Sequence, residues 1–423
     1  MPDTRLDQQL AASRAQLLAE IDQPDLARVH ARAQVLRRRR TAARAGGGLA
    51  LLATAVLVAA VQPWGGRGPE VATPPGPVPS GGPVWTDAGI TVNGMVQPYV
   101  DLPGDILDVE LADPDRGYAL LASCVGGRSC RMTVASTHDG GLTWTEHPLP
   151  AGAATADTPP ELLLLGDGSA VVTVAPPLVL TPGSGWQPRP GNGGPVATAE
   201  RGARLRVRPG PSGGCAGAVV EVWTSQYGHR GDLSDQPPID VCWVAAQPAA
   251  DGAWWAGGAE RTTGRPAVAV SRDSGRTWQR PQLPGAAAGV PAGASAGASV
   301  RVATLGTHVY AVVVGPGGQL GAVYHSVDSG GSFTQTRSGP DGEPATLAGD
   351  PVPVLDGRLL VATLTGRWFV SSDAGATFVR TDELPKVGRL VRSPSGYIAL
   401  DLFGNGWAAY SSDGATWRKL HLR

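Results

Sequence analysis

The four cysteines are the side chains whose type and spacing most directly suggest chemistry. Cys124, Cys130, Cys215 and Cys242 all lie beyond residue 100. An even number of cysteines on one side of a membrane segment, identified below, is typical of two disulfides in an oxidising compartment. The alternative is four small buried thiols. Because their spacing fits neither a zinc ribbon nor a CxxC redox site, metal ligation is not expected.

Other side chains give no sign of a metal, a cofactor or a nucleic-acid partner. The seven histidines are scattered along the chain, and no calcium-loop spacing occurs. A formal net charge of −1 carries no indication of nucleic-acid binding. We therefore expect no bound metal, no cofactor and no nucleic acid.

Three segments precede the region that carries the cysteines. Residues 1–44 are predicted to form a cytoplasmic helical tail, because leucines recur there at helical spacing. Residues 45–64 are uncharged and long enough for one transmembrane helix. The arginines at 37–40 and Arg44 lie immediately before them, which places the N-terminus inside the cell. A cleaved signal peptide would not have so long a leading segment.

The remaining chain is predicted to lie outside a bacterial cell membrane. Residues 65–83 are rich in proline and glycine and form a semi-rigid linker. Residues 84–423 follow it as one extracytoplasmic domain.

One octapeptide pattern, S/T-x-D-x-G-x-S/T-W/F, recurs through that domain. Full copies begin at Thr137, Ser271, Ser326 and Ser371, and a copy one residue shorter begins at Ser411. An Asp carboxylate can accept hydrogen bonds from its own turn, and Gly tolerates the positive φ of a tight corner. We therefore expect a hairpin corner in each copy, after which the aromatic residue packs between sheets. The aspartate and aromatic positions of the copies are Asp139, Trp144, Asp273, Trp278, Asp328, Phe333, Asp373, Phe378, Asp413 and Trp417.

This pattern resembles the Asp-box, or bacterial neuraminidase (BNR), repeat of sialidase-like and sortilin-like β-propellers. The resemblance covers roughly residues 85–423 and implies an all-β propeller. It also implies that the boxes are structural turns between the third and fourth strands of each blade. Ligand sites of the family lie on the opposite face, near the central channel.

The spacing of the box aspartates predicts seven blades. Four of them, from Asp273 to Asp413, follow one another at intervals of 55, 45 and 40 residues, the length of a four-stranded blade. The 134 residues between Asp139 and Asp273 leave room for two further blades. Residues 181–186 look like the remnant of one box, whereas the blade centred on residues 219–223 has none.

Six blades remain an alternative if that boxless unit is an insertion, and residues 85–91 (WTDAGIT) offer a further decayed box. The other units each contain an apolar run predicted to form a strand, at residues 117–122, 169–175, 253–257, 308–314, 358–363 and 397–402.

The loops between second and third strands are the predicted site of function. They are assigned to residues 126–131, 209–217, 260–265, 316–319, 365–367 and 403–406. Cys124 and Cys130 bracket the first loop, and a Cys215–Cys242 pair is geometrically plausible. The candidate ligand-binding residues in these loops are Arg128, Arg131, Arg261, Arg265 and Arg367, whose guanidinium groups suit a carboxylate or another anion. The alternative is that these arginines are solvated loop charges.

The predicted function is a membrane-anchored, non-catalytic binding or assembly module for a protein, glycan or envelope component, because a fold alone does not establish activity. The alternative is an exo-sialidase-like glycoside hydrolase. For that activity the resemblance implies an arginine triad, a Tyr/Glu pair and a Phe/Tyr-Arg-Ile-Pro motif. The motif is absent, and its nearest approach is Arg206-Val207-Arg208-Pro209. We therefore name no catalytic residue.

Overall fold

A computed structural model describes residues 84–94, 102–125, 129–150, 160–181, 183–285, 299–339, 342–382, 384–403 and 406–422. The predicted tail, transmembrane segment and linker lie outside these residues. No helix in the described part of the chain is long and apolar enough to cross a membrane.

The described residues form 28 β-strands and one short 3₁₀ turn at Pro316–Gly318. An N-terminal hairpin and the first two blades consist of β1 (Val84–Asp87), β2 (Ile90–Gly94), β3 (Asp105–Leu111), β4 (Gly117–Val125), β5 (Ser129–Thr137), β6 (Thr145–Pro148), β7 (Leu162–Leu164), β8 (Ala170–Val172), β9 (Leu178–Leu180) and β10 (Trp186–Pro188). Blades 3 and 4 have three strands each, β11 (Arg204–Arg208), β12 (Val219–Thr224) and β13 (Gly228–Asp232), then β14 (Asp240–Val244), β15 (Trp254–Ala259) and β16 (Pro266–Ser271).

Blades 5 to 7 complete the ring with four strands each. They consist of β17 (Ser299–Leu305), β18 (His308–Val314), β19 (Leu320–Ser326), β20 (Thr334–Arg337), β21 (Val352–Pro353), β22 (Leu359–Ala362), β23 (Trp368–Ser371), β24 (Val379–Thr381), β25 (Arg389–Ser393), β26 (Gly396–Leu400), β27 (Trp407–Ser411) and β28 (Thr416–His421). The prediction of an all-β propeller with seven blades is therefore confirmed. The six predicted apolar runs fall on the second strands of six blades, and the second strand of blade 3, β12, covers the predicted centre at residues 219–223.

The core of the propeller lies between the blades. Seven apolar clusters occur among the described residues, one at each interface between neighbouring sheets, including the interface of blade 7 with blade 1. Successive side chains of a strand point to opposite faces of the sheet, and apolar residues occur on both faces. Each face therefore packs against a neighbouring blade. The ring is thus closed by apolar packing on every side.

The five repeat turns (residues 137–144, 271–278, 326–333, 371–378 and 411–417) connect third strands to the residues that follow them. In the first turn, Thr137 Oγ1 and the Thr143 amide donate to Asp139 Oδ1 at 2.9 Å each, and Thr143 Oγ1 donates to Asp139 Oδ2 at 2.6 Å. Gly141 has a φ of 85° and donates its N–H to Thr137 Oγ1 at 2.8 Å. These are the hairpin corners that the sequence predicts.

The aromatic residue that ends each repeat turn packs against the preceding blade. Trp417 is fully buried between blades 6 and 7, and Phe333 lies between blades 4 and 5. The remnant at residues 181–186 also connects a third to a fourth strand, and Trp186 packs between blades 1 and 2 in the same way. Residues 85–91, by contrast, are not a decayed box. They belong to the β1–β2 hairpin, whose two-residue turn is Ala88–Gly89, with φ of 47° and 76°.

Blade 3 runs in the opposite direction from its neighbours. Arg204, at the start of β11, donates to the carbonyl of Leu164 at the end of β7 (3.2 Å). The Leu205 amide donates to Ala246 O, just beyond the end of β14 (3.2 Å). Because blade 3 has three strands, an odd number, this reversal returns the chain to the face on which β14 begins.

One loop assignment is therefore corrected. Residues 209–217 connect the first and second strands of blade 3, not the second and third. The sequence repeat could not show this, because it assumes the same strand order in every blade. The reversal nevertheless leaves this loop on the face opposite the repeat turns.

Both predicted disulfides are present in the structure. Cys124 and Cys130 lie directly opposite each other on β4 and β5, with a Cα–Cα distance of 4.0 Å. Cys215, in the first loop of blade 3, is joined to Cys242 of β14, with a Cα–Cα distance of 4.6 Å. The described residues contain no free cysteine.

Candidate functional site

The central channel is lined by charged residues of the innermost strands. In β3, Asp108 and Glu110 face the channel while Val109 and Leu111 point into the core between blades 1 and 7. In β11, Arg204 and Arg206 alternate with Leu205 in the same manner. This alternation follows from the two-residue period of a strand, which puts every second side chain on one face.

Two adjoining cavities open among these side chains, with volumes of about 320 and 280 Å³. They share part of their lining, so they form one polar space. Its charged lining consists of Asp108, Glu110, Glu161, Asp350, Arg204, Arg206, Arg301, Arg389 and Arg392. The five arginines outnumber the four carboxyl groups, and the space therefore favours an anionic partner.

Ion pairs connect blades across this space. Arg204 donates to Glu110 at 3.0 Å and so joins blade 3 to blade 1. Arg389 of blade 7 forms an ion pair with Asp108 of blade 1. On the far side, Asp350 accepts from Arg301 at 3.1 Å and from the Trp243 indole at 3.2 Å.

Two buried polar atoms of this network have no hydrogen-bond partner in the described chain. They are Oε2 of Glu110, a residue that is 3% exposed, and Nε of Arg389. Buried polar groups are usually paired, and an unpaired one is costly unless a ligand or water completes it. The channel lining therefore contains one acceptor and one donor whose hydrogen bonding the described residues leave incomplete.

Burial raises the pKa of the two acidic groups of β3. Desolvation favours the neutral form of Glu110 and outweighs the opposing attraction of Arg204, so the pKa of Glu110 rises above its ordinary value. The pKa of Asp108 is raised for the same reason, against the opposing charge of Arg389. Protonation of either group would increase the positive character of the channel.

The loop arginines predicted from the sequence do not line this space. Arg131 is exposed on β5, Arg261 and Arg265 are exposed on the second-to-third loop of blade 4, and Arg367 is exposed on blade 6. Arg261 donates to the carbonyl of Pro237 at 2.9 Å, which ties down its own loop. Arg128 lies outside the described residues. These four described arginines come from three separate blades, and their role as ligand-binding residues at the channel mouth stays a prediction.

Most of the charged residues that converge on the channel come from the strands, and Glu161 and Asp350 lie just before β7 and β21. Sequence reasoning passed over them because it sought a site in the irregular segments. A signal was present, since the alternation Arg204-Leu-Arg206-Val-Arg208 in β11 is the pattern of a strand with one charged face. The Arg206–Pro209 stretch that approaches the sialidase motif thus belongs to a channel-lining strand.

The tyrosines considered for a hydrolase occupy the interior of the blades. Tyr118, Tyr310 and Tyr397 lie on the second strands β4, β18 and β26, where each is at most 7% exposed. Desolvation raises the pKa of each phenol. Their location favours packing, as the apolar sequence around them predicts.

The fold and the channel together define the class: a seven-bladed β-propeller with a charged axial channel. No protein-family model and no curated protein matches the chain. Solved structures share its architecture. YCF48 from Cyanidioschyzon merolae is 16% identical over 80% of this chain and 99% of its own, with a TM-score of 0.40.

Two further solved propellers have other described identities. BamB from Moraxella catarrhalis is 12% identical over 76% of this chain and 90% of its own, with a TM-score of 0.37. The Hadza microbial sialidase Hz136 is 14% identical over 77% of this chain and 66% of its own, with a TM-score of 0.34. Likeness at this level carries no argument about function.

Proposed function

We propose that this chain is a membrane-anchored, extracytoplasmic propeller of the Asp-box type that acts as a non-catalytic recognition module. Its ligand is a carboxylate-bearing polypeptide segment that binds at the channel. The observation that carries the proposal is the incomplete hydrogen bonding of the arginine-rich channel, where Glu110 Oε2 and Arg389 Nε are unpartnered.

The chemistry of the channel suits an acidic polypeptide. Arg301 and Arg389 are 28% and 35% exposed, so each can contact a ligand without losing its own carboxylate partner. Guanidinium groups bind carboxylates with directional, charge-assisted hydrogen bonds. A peptide also carries backbone N–H donors beside its carboxylates, which a simple anion does not.

Sequence and turn geometry support the remaining parts of the proposal. The repeat turns share one arrangement of hydroxyl, carboxylate and amide groups, as expected for Asp-boxes. The five arginines before the apolar residues 45–64 favour a single transmembrane helix with the propeller outside. Two disulfides agree with an oxidising compartment. The loop arginines, from Arg131 to Arg367, then offer secondary contacts around the channel entrance.

Fluorescence anisotropy with labelled peptides tests the proposal. Full-length chain in detergent is titrated with Asp/Glu-rich peptides and with their Asn/Gln counterparts. The acidic peptides bind more tightly, and Arg301→Ala weakens them about tenfold or more, because a hydrogen bond to a charged group is worth about 1.5–3 kcal/mol. Arg276→Ala, an exposed arginine in a repeat turn on the opposite face, leaves binding unchanged.

Two outcomes contradict the proposal. Equal affinity for acidic and amide peptides removes the anionic channel as the binding site. Turnover of a fluorogenic sialoside that is abolished by Arg301→Ala shows a hydrolase in place of a binding module. Circular dichroism of each variant establishes that the propeller is folded.

A further inference from the structure

A second cluster of ionisable side chains lies on blade 3, beside the channel cavities but outside their lining residues. Glu221 is on β12 and directly opposite Asp232 of β13 in the strand ladder. His229, also on β13, points to the same side of the sheet and contacts the Trp223 ring, with ring centroids 5.2 Å apart. Glu221, His229 and Asp232 each offer one ligand atom within 4.8 Å of the others.

A β-bulge brings these three side chains together. Residues 229 and 232 are separated by an odd number of positions, so an unbroken strand would place them on opposite faces. The ladder shifts between Val222 and Trp223, which leaves Arg230 as the extra residue on β13. Gly231 has a φ of 144°, and a Cβ at that position would meet Gly194 O at 1.9 Å. Bulges of this kind re-aim a side chain, and here the bulge re-aims His229.

Two of the donor atoms have no hydrogen-bond partner. His229 Nε2 and Asp232 Oδ1 are buried from solvent and unpartnered among the described residues. His229 Nε2 lies 3.7 Å from Glu221 Oε1 and 3.9 Å from Asp232 Oδ1. Tetrahedral zinc with bonds of about 2.0–2.2 Å separates its ligands by about 3.4 Å, so a slight contraction satisfies this geometry.

These three residues and the charged side chains around them carry an excess of negative charge, which favours a bound cation. Glu161, Glu221 and Asp232 carry three negative charges against two positive charges on Arg206 and Arg208. Glu221 is 5% exposed, and its second oxygen accepts from the Trp223 indole at 3.1 Å, which fixes the carboxylate in place. An outer partner of this type orients a metal ligand and tunes its affinity.

We propose that Glu221, His229 and Asp232 form a binding site for a divalent transition metal of the zinc type. One imidazole nitrogen and two carboxylates are the donor set that such an ion accepts. Residue spacing along the chain does not indicate this metal site, because the ligands come from two strands and depend on the bulge. The three ligands adjoin the channel through Arg206 but are not among its lining residues, and the proposal does not rest on the proposed function.

Arg208 is the competitor of the metal. Its guanidinium contacts Glu221 Oε1 at 2.7 Å and Asp232 Oδ2 at 2.6 Å. Its side chain is 49% exposed, so it can turn to solvent while the metal takes the two carboxylates. A bound metal would cross-link β12 and β13 in the blade that has neither a repeat turn nor a fourth strand.

Metal titration of the full-length chain, freed of any polyhistidine tag, tests this site. Zn²⁺ affinity is measured by calorimetry, and Co²⁺ is used as a visible-absorption probe of a tetrahedral centre. His229→Ala and His229→Gln each weaken Zn²⁺ binding by more than about 100-fold, since changes in outer partners alone cost about 10–100-fold. Arg208→Ala strengthens it about tenfold, because a competing cation worth roughly 1.4 kcal/mol is removed.

His308→Ala is the matched control. His308 Nδ1 lies 2.9 Å from His325 Nε2 on blade 5, so the variant removes another paired histidine without touching blade 3. Its Zn²⁺ affinity equals that of the wild type. The proposal is overturned if the wild type gives no saturable Zn²⁺ binding, if His229→Gln binds as the wild type does, or if Arg208→Ala weakens binding in a folded chain.

Discussion

The repeat turns and the channel use carboxylate groups in opposite ways. In the repeat turns, Asp328 accepts from two hydroxyls and a backbone amide at 2.6–2.9 Å. Those bonds favour its ionised form and lower its pKa. In the channel, Glu110 is buried with one oxygen unpartnered, and its pKa is raised.

This contrast separates scaffold from site. A carboxylate whose hydrogen bonds are complete has nothing left to offer a ligand, whereas an incompletely bonded one has already been desolvated for binding. The repeated motif, which is the most conspicuous feature of the sequence, is therefore structural. The channel residues follow no sequence repeat, and they include buried polar atoms that have no hydrogen-bond partner among the described residues.

The largest expected effect concerns the disulfides, which fasten the face opposite the repeat turns. Cys215→Ser removes the disulfide that joins residues 27 positions apart. It lowers the unfolding free energy by about 3–4 kcal/mol, because the entropy that a disulfide removes from the unfolded chain rises with loop length. Cys124→Ser opens a six-residue separation and costs about 2 kcal/mol. Urea denaturation measures both. Equal losses would mean that native strain, and not loop entropy, sets the contribution.

An intermediate effect is expected at the repeat turns. Asp373→Ala removes an acceptor for Ser371 Oγ and for the amide and hydroxyl of Thr377, and costs about 1–2 kcal/mol of unfolding free energy. Ser372→Ala, an exposed position of the same turn, changes stability by less than about 0.5 kcal/mol. Similar losses in both variants would show that the carboxylate hydrogen bonds are not what stabilises the turn.

The smallest effect is a difference in pH dependence. The ionised form of Asp328 stabilises the fold above its ordinary pKa of 3.8, and this stability is lost as pH falls through the lowered folded value. The neutral form of Glu110 favours the fold below its ordinary pKa of 4.5, and this contribution is lost as pH rises through the raised value.

Two variants distinguish these slopes. Asp328→Asn flattens the acid-side loss of unfolding free energy and leaves the slope above pH 4.5 unchanged. Glu110→Gln does the reverse. Chemical denaturation across both ranges measures the slopes, and a single variant that flattens both would remove the contrast between the repeat turns and the channel.

The sequence predicts what is local and repeated. A motif whose hydrogen bonds all form within eight residues predicts the repeat turns. Its spacing along the chain predicts the second strands and the count of seven blades. The disulfides followed because cysteines are few. The channel is different. Arg389 and Asp108 form an ion pair between blades 7 and 1, and because they are far apart in the chain, the sequence does not predict their contact.

The reversed strand direction of blade 3 could not be predicted from the sequence either. It depends on contacts such as Leu205 to Ala246, which belong to neighbouring blades. Residues 85–91 show the converse error, since the resemblance of WTDAGIT to a box reflects only that both are tight β-turns. In both cases the local turn or strand was predicted correctly. Its place in the propeller depends on contacts with residues that are distant in the chain, which the local sequence does not show.

The pairing of β2 with β28 has a consequence for how the protein is made. Thr91 lies beside Thr416 in a parallel ladder, so nearly the first and the last described strands are neighbours. A ribosome releases the first strand long before the last one exists, and contacts so distant in the chain form slowly. The N-terminal hairpin must therefore wait, with one edge open, until β28 has been synthesised. A chain that stops short of β28 leaves that edge exposed to aggregation.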